Sequence, residues 1–179
     1  MKRALTSLIA LVISGSLAYS AHGRDEGRAS PGSSWSKQRG SFAAMVLLSN
    51  EPDEFLNAWH NPTDDFPFQM SETAVRGAPI VAFVLFGGCE PDDDGLCNAS
   101  VDFTVLKPDG TEYATFKDKD LWRDKPAIPA GAVQLSTEYM GVIIEPDDPL
   151  GQYEIQVAVR DNNAGITLHL SKTFTATQP

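Results

Sequence analysis

QYEIQVAVRDNNAGITLHLSKTFTA, residues 152–176, decides the fold. Tyr153, Ile155, Val157 and Val159 alternate with Gln152, Glu154, Gln156 and Arg160, and after DNNAG (161–165) Ile166, Leu168, Leu170 and Phe174 keep to one parity. A period of two on both sides of a turn-forming pentad is the pattern of a β-hairpin with one face buried.

The same rhythm recurs upstream. VDFTVLKPDGTEYATF (101–116) places Val101, Phe103 and Val105 before a Pro-Asp-Gly turn and Tyr113 and Phe116 after it, which predicts a second hairpin. SFAAMVLL (41–48) and PIVAFVLFGG (79–88) are apolar at nearly every position, as strands buried on both faces are. Val133 and Leu135 begin a further strand, YMGVIIE (139–145) another, and FPFQM (66–70) reads as a short edge strand. DKDLWRDKPAIPAG (118–131), with Trp122, Pro126 and Pro129, reads as a long loop. Near residues 51–60 one short helix is expected, with Ser49 or Asn50 to cap it, Pro52 in its first turn and Pro62 to stop it. Its Phe55, Leu56 and Trp59 share a face that would plug one end of the fold. With about seven to nine hairpin-spaced strands and no βαβ rhythm, the expectation is an all-β, antiparallel sandwich.

The N-terminus is of another kind. MKRALTSLIALVISGSLAYS (1–20) has Lys2 and Arg3 ahead of an apolar run and small residues suited to cleavage after Ala18 or Ser20, the layout of a secretory signal. AHGRDEGRASPGSSWSKQRG (21–40) reads as a flexible leader carrying Trp35, and residues 41–179 as the domain. The apolar run is shorter than the roughly 20 residues a membrane span needs.

VLKPDGTEY (105–113), followed by DPLGQYEIQVAVRD (148–161), resembles the exported immunoglobulin-like β-sandwich domains of bacterial envelope proteins. The resemblance implies a late strand introduced by Gly151 and Tyr153, whose tyrosine bonds back across the corner. Pro149 stands where an Asp is frequent in that pattern, and Asp148 lies beside it. The resemblance carries fold and no activity.

Cys89 and Cys97 are the chain's two cysteines. Export would deliver them to an oxidising compartment, so a disulfide joining the end of one strand to the start of the next is expected. A C-x-x-C redox motif is missing. Zinc would need more thiolates or imidazoles, and His22, His60 and His169 are scattered.

The chain has 24 acidic and 14 basic residues, a formal charge of −10. Loss of residues 1–20 would remove two basic residues and no acid. Such a surface disfavours nucleic acid and anionic lipid. Glu90, Asp92, Asp93 and Asp94 in one turn and Glu145, Asp147 and Asp148 in another are hard oxygen donors suited to calcium. Solvated acidic turns are the competing reading, and their spacing is not that of a helical calcium loop. No other cofactor is indicated.

The sequence shows no G-x-S-x-G elbow, no H-E-x-x-H and no glycine-rich phosphate loop. A carboxylate pair for glycoside hydrolysis is a spatial matter that the sequence leaves open. The expectation is a non-catalytic exported module, periplasmic or extracellular, that binds another envelope or surface protein. Its alternatives are a stand-alone ligand or calcium binder and a small hydrolase. Trp122 and Arg123 are the candidate contact residues, because an aromatic on an irregular surface segment is a common anchor.

Overall fold

The computed structural model describes residues 33–62 and 70–179. The expected signal segment, most of the expected leader and most of the expected strand at 66–70 lie outside these residues.

Among the described residues ten strands form two five-stranded sheets. In the first, β1 (Ser36–Arg39) pairs with β2 (Phe42–Ser49), and β2 with β4 (Pro79–Gly87); β7 (Gln134–Leu135) and β8 (Met140–Ile143) both pair with β4. In the second, the order is β3 (Thr73–Val75), β10 (Ile166–Thr177), β9 (Gly151–Asp161), β5 (Leu96–Leu106) and β6 (Glu112–Pro126). The all-β expectation holds. Its antiparallel arrangement needs one correction, since β3 lies parallel to β10.

The hairpin of residues 152–176 forms with the expected parity. Tyr153, Ile155, Val157 and Val159 are buried between the sheets, as are Leu168, Leu170 and Phe174. They meet Phe42, Ala44, Val46 and Leu48 of β2 and Ile80, Ala82, Val84 and Phe86 of β4.

The other faces of β2 and β4 explain why those strands are apolar throughout. Leu47, Val81, Phe83 and Leu85 form a second cluster with Leu135 and with Phe55 of the helix α1 (Pro52–His60). Phe55 stacks on Phe83 with ring centroids 4.1 Å apart. The helix therefore covers the outer face of the first sheet and does not plug an end: its apolar stripe needs an apolar floor, and only doubly apolar strands supply one. At its start Ser49 Oγ accepts the Glu51 amide at 3.0 Å, and Pro52 occupies the first turn, where a missing N–H costs nothing.

The largest correction concerns 118–131. Residues up to Pro126 belong to β6, a 15-residue edge strand beside β5. Register with β5 shifts at four places, and Asp118 and Asp124 take positive φ of 56° and 52°. These bulges break the alternation on which strand reading depends. At one of them Leu121 is the extra residue, so Leu121 and Trp122 both pack on the core.

Backbone bonds stitch the two sheets along both margins. Trp35 O accepts from Val46 while Ser34 O accepts from Ser171 at 2.7 Å. Opposite, Ser136 donates to Val84 of β4, and Thr137 and Glu138 donate to Leu121 and Asp120 of β6. The first of these stitches and β1 fall within the stretch expected to be a flexible leader, so the ordered fold begins before Ser41. Trp35 is half-buried against both clusters, with Lys172 Nζ 5.8 Å from its ring centroid. One aromatic with an apolar margin to cover outweighs the Gly- and Ser-rich composition around it.

Candidate functional site

The expected disulfide joins Cys89 and Cys97. Cys89 follows β4 of the first sheet and Cys97 lies in β5 of the second, so the bond clamps the crossing between sheets.

The acidic turns do not come together. Glu90 donates its amide to Asp161 Oδ2, at the end of β9, whereas Asp148 lies just before its start. Eleven residues of strand, roughly 35 Å, separate them. In the first turn Asp92 Oδ1 accepts the amides of Asp94 and Leu96 at 3.0 and 2.8 Å. In the second, Asp148 Oδ2 accepts the Tyr113 hydroxyl at 2.5 Å and the Glu145 amide at 2.9 Å. Burial, and then the neighbouring Asp148 carboxylate, push the Tyr113 hydroxyl up to about 12. That same hydrogen bond lowers Asp148. In each turn one carboxylate, Asp92 or Asp148, thus fastens backbone and hairpin. Among the described residues no three His, Cys, Asp or Glu side chains converge as metal ligands would. The shared calcium site is therefore not formed.

Trp122 and Arg123 part company. Arg123 turns back to an ion pair with Asp118, and its amide donates to Asp120 Oδ1 at 2.8 Å. Trp122 is half-buried: its Nε1 donates to Pro126 O at 2.9 Å, its ring lies 6.1 Å from that of Phe86, and Lys125 Nζ sits 4.9 Å from the ring centroid. The ring is thus packed, and it forms one wall of a cleft of about 350 Å³.

The cleft lies between α1, β6 and the segment 134–139. Trp59, one helical turn beyond Phe55, supplies a second aromatic wall, and Tyr139 a third. Tyr139 is 45% exposed, with its ring 5.0 Å from Phe83. Gln134 and Ser136 add polar groups. Ser136 is 4% exposed, and its hydroxyl has no hydrogen-bond partner among the described residues. Lys125 is the one Lys or Arg among the described lining residues. Asp120 Oδ2 holds its ammonium at 3.0 Å, and Thr137 Oγ1 also accepts from it. No Asp or Glu is among the described residues that line the cleft.

Sequence reading missed Trp59, Ser136 and Tyr139 as site residues. The sequence places Trp59 on the helix's apolar face, where it does pack, and no local signal marks the other two.

Two larger hollows offer less. A groove of about 560 Å³ beside the disulfide has Met45, Phe86, Ile128, Val133, Gln38 and Glu90 among its lining residues. A trough of about 520 Å³ crosses the outer face of the second sheet. Its Asp102 is already engaged by both guanidinium nitrogens of Arg160, at 2.8 and 2.6 Å.

No family model matches the chain. No curated protein matches it significantly. Among solved structures it is similar to a family 123 glycoside hydrolase from Clostridium perfringens, with 8% identity and a TM-score of 0.45 over 78% of this chain and 28% of that one. A Niemann-Pick type C2 protein from Japanese carpenter ant aligns at 11% identity and a TM-score of 0.38, over 83% of this chain and 96% of that one. The alkylpurine DNA glycosylase of Pseudomonas fluorescens, bound to DNA containing an abasic site analog, aligns at 16% and 0.37, over 59% and 27%. This chain thus spans under a third of the first and last of these proteins. Likenesses this distant carry no argument about function.

Proposed function

We propose that this protein is a non-catalytic binding module of the cell envelope, exported through its N-terminal segment and built on an immunoglobulin-like sandwich. The observation that carries the reading is the cleft, lined by three aromatic residues from α1, β6 and the segment 134–139 together with Ser136, whose buried hydroxyl has no partner among the described residues. Folding alone does not call for that combination, because a core tolerates few unsatisfied polar groups and an aromatic left 45% exposed gains little by burial. Export is supported by the signal-like residues 1–20 and by the disulfide. No helix among the described residues is long and apolar enough to cross a membrane. The Tyr153 hydroxyl, which donates to Pro149 O at 2.8 Å, supports the immunoglobulin-like reading. The parallel strand β3 and the bulged β6 are departures from that pattern.

The test is cross-linking in the envelope of the native cells, followed by recovery of a C-terminally tagged copy. One envelope component recovered in stoichiometric amount by the wild-type protein and lost by Trp59→Ala supports the reading. Trp59 is preferred to Trp122 because Trp122 also packs on Phe86. Equal recovery by both proteins moves the contact elsewhere, and recovery of nothing sets the reading aside.

A further inference from the structure

We infer that the cleft between α1, β6 and residues 134–139 binds a neutral saccharide. The inference rests on the binding-module reading and names its ligand class.

A sugar ring has two kinds of surface, an apolar C–H face and a rim of hydroxyls. The cleft offers a partner to each. Trp59, Trp122 and Tyr139 line it, Trp122 with Lys125 Nζ already over its ring, and electron-rich ring faces attract polarised C–H groups as they attract other positive edges. Between them Gln134 brings an amide, which both donates and accepts. Ser136 brings a hydroxyl that is buried without a partner among the described residues. That hydroxyl carries one donor and two acceptor lone pairs, which a ligand hydroxyl that reaches it can satisfy.

Charge narrows the class. Lys125 is neutralised by Asp120, and Glu138 lies close by, its Oε2 accepting the Asp120 amide at 2.6 Å. An anionic ligand would find Lys125 already paired and beside it only the His60 imidazole, whose Nδ1 is bound to Leu56 O at 2.7 Å, and the chain's formal charge of −10 opposes it further. A cationic ligand would find no carboxylate among the described lining residues. A purely apolar ligand would leave the Ser136 hydroxyl unsatisfied and would desolvate the Gln134 amide, of which only the Nε2 donation to Leu135 O at 3.3 Å is met within the chain, which is costly. Volume limits the size. About 350 Å³ lies at the small end of small-molecule sites, which run from about 300 to 1,000 Å³, so the cleft holds a short saccharide or the end of a longer one.

The experiment titrates the purified exported protein with neutral di- to hexasaccharides of glucose, galactose, mannose and N-acetylglucosamine, and with uronic-acid counterparts. Tryptophan emission reports contact with Trp59 and Trp122, and calorimetry gives the affinity. At least one neutral saccharide should shift the emission and saturate, with its acidic counterpart binding more weakly. Trp59→Ala should weaken binding about tenfold or more. Ser136→Ala removes the orphan hydroxyl, so it should leave the melting temperature unchanged or raised while weakening binding, a combination that a merely structural serine cannot give. Should Trp59→Ala fail to fold, the Ser136→Ala arm decides alone. Preference for the acidic saccharides, or binding untouched by these variants, overturns the inference. Failure of every saccharide while cross-linking still recovers a protein lost in Trp59→Ala overturns the saccharide and leaves the binding module standing. Failure of both overturns both.

Discussion

The Tyr153 hydroxyl donates to the carbonyl oxygen of Pro149 at 2.8 Å, while the Tyr153 ring stacks on Phe174 with centroids 5.4 Å apart. The side chain is fully buried. It thereby fixes the corner where the chain enters β9 and anchors that corner in the core. Tyr153→Phe keeps the stack and deletes the hydrogen bond, which should cost about 1 kcal/mol. Tyr153→Ala also opens a cavity and should cost about 3 to 5 kcal/mol. Urea denaturation of the two variants checks the difference. Equal losses would mean that the corner bond contributes nothing.

On the outer face of the second sheet, Asp102 is held by Arg160 through two hydrogen bonds and by the Asp118 amide at 2.8 Å. Arg160 first, and then that amide, keep the Asp102 carboxyl down at about 2. An unfolded aspartate titrates near 3.9. The pair's stabilisation is therefore fully present above about pH 4 and is lost as the pH falls toward 2. Arg160 is 34% exposed and Asp102 19%, so solvent screening limits the effect to about 1 kcal/mol. Asp102→Asn should flatten the stability profile between pH 4 and 2, and chemical denaturation across that range measures it.

Cys89 and Cys97 close a short loop across the two sheets. Chain entropy assigns such a loop about 2.5 kcal/mol. The Cys89→Ser, Cys97→Ser double variant should melt lower than the oxidised wild type, and a reductant should lower only the wild type. Cys97 is 1% exposed, so reduction should be slow without denaturant.

The disulfide, the helix α1, the strands β2 and β4 and the hairpins of residues 101–116 and 152–176 were legible in the sequence because each is a local relation of spacing or parity. How these elements pack on one another depended on contacts between distant residues. Strand β6 beyond Phe116 was hidden by its own bulges: Asp118 and Asp124 at positive φ interrupt the alternation, and Lys117, Lys119, Arg123 and Lys125 give the segment the composition of a loop. Whether Asp92 and Asp148 share an end of the fold is set by the direction of β9, which no feature of either turn records. The cleft is the extreme case. Trp59, Trp122 and Tyr139 meet only because α1 lies on the outer face of the first sheet and residues 137–138 reach across to β6. Composition places Trp122 on a loop, whereas the structure holds it half-buried in a strand.

Two glycines in the same connection separate backbone freedom from backbone crowding. Gly88 and Gly95 both take positive φ, 71° and 80°, where a Cβ costs roughly 1 kcal/mol or a little more. A Cβ on Gly95 would meet nothing within 4 Å, so Gly95→Ala should cost about that conformational term and no more. At Gly88 the same atom would lie 2.0 Å from the Ser41 carbonyl oxygen, a backbone atom that no rotamer change can move. Ser41 also holds Gly88 directly, its hydroxyl donating to the Gly88 carbonyl at 3.1 Å. To admit the methyl group the start of β2 must part from the end of β4, next to the disulfide that clamps the sheets. Gly88→Ala should therefore cost about 3 kcal/mol or more, or yield no folded protein while Gly95→Ala still folds. Thermal melts of the two variants decide the matter: equal shifts would show that the approach of Ser41 to Gly88 can relax, and that φ alone constrains this connection.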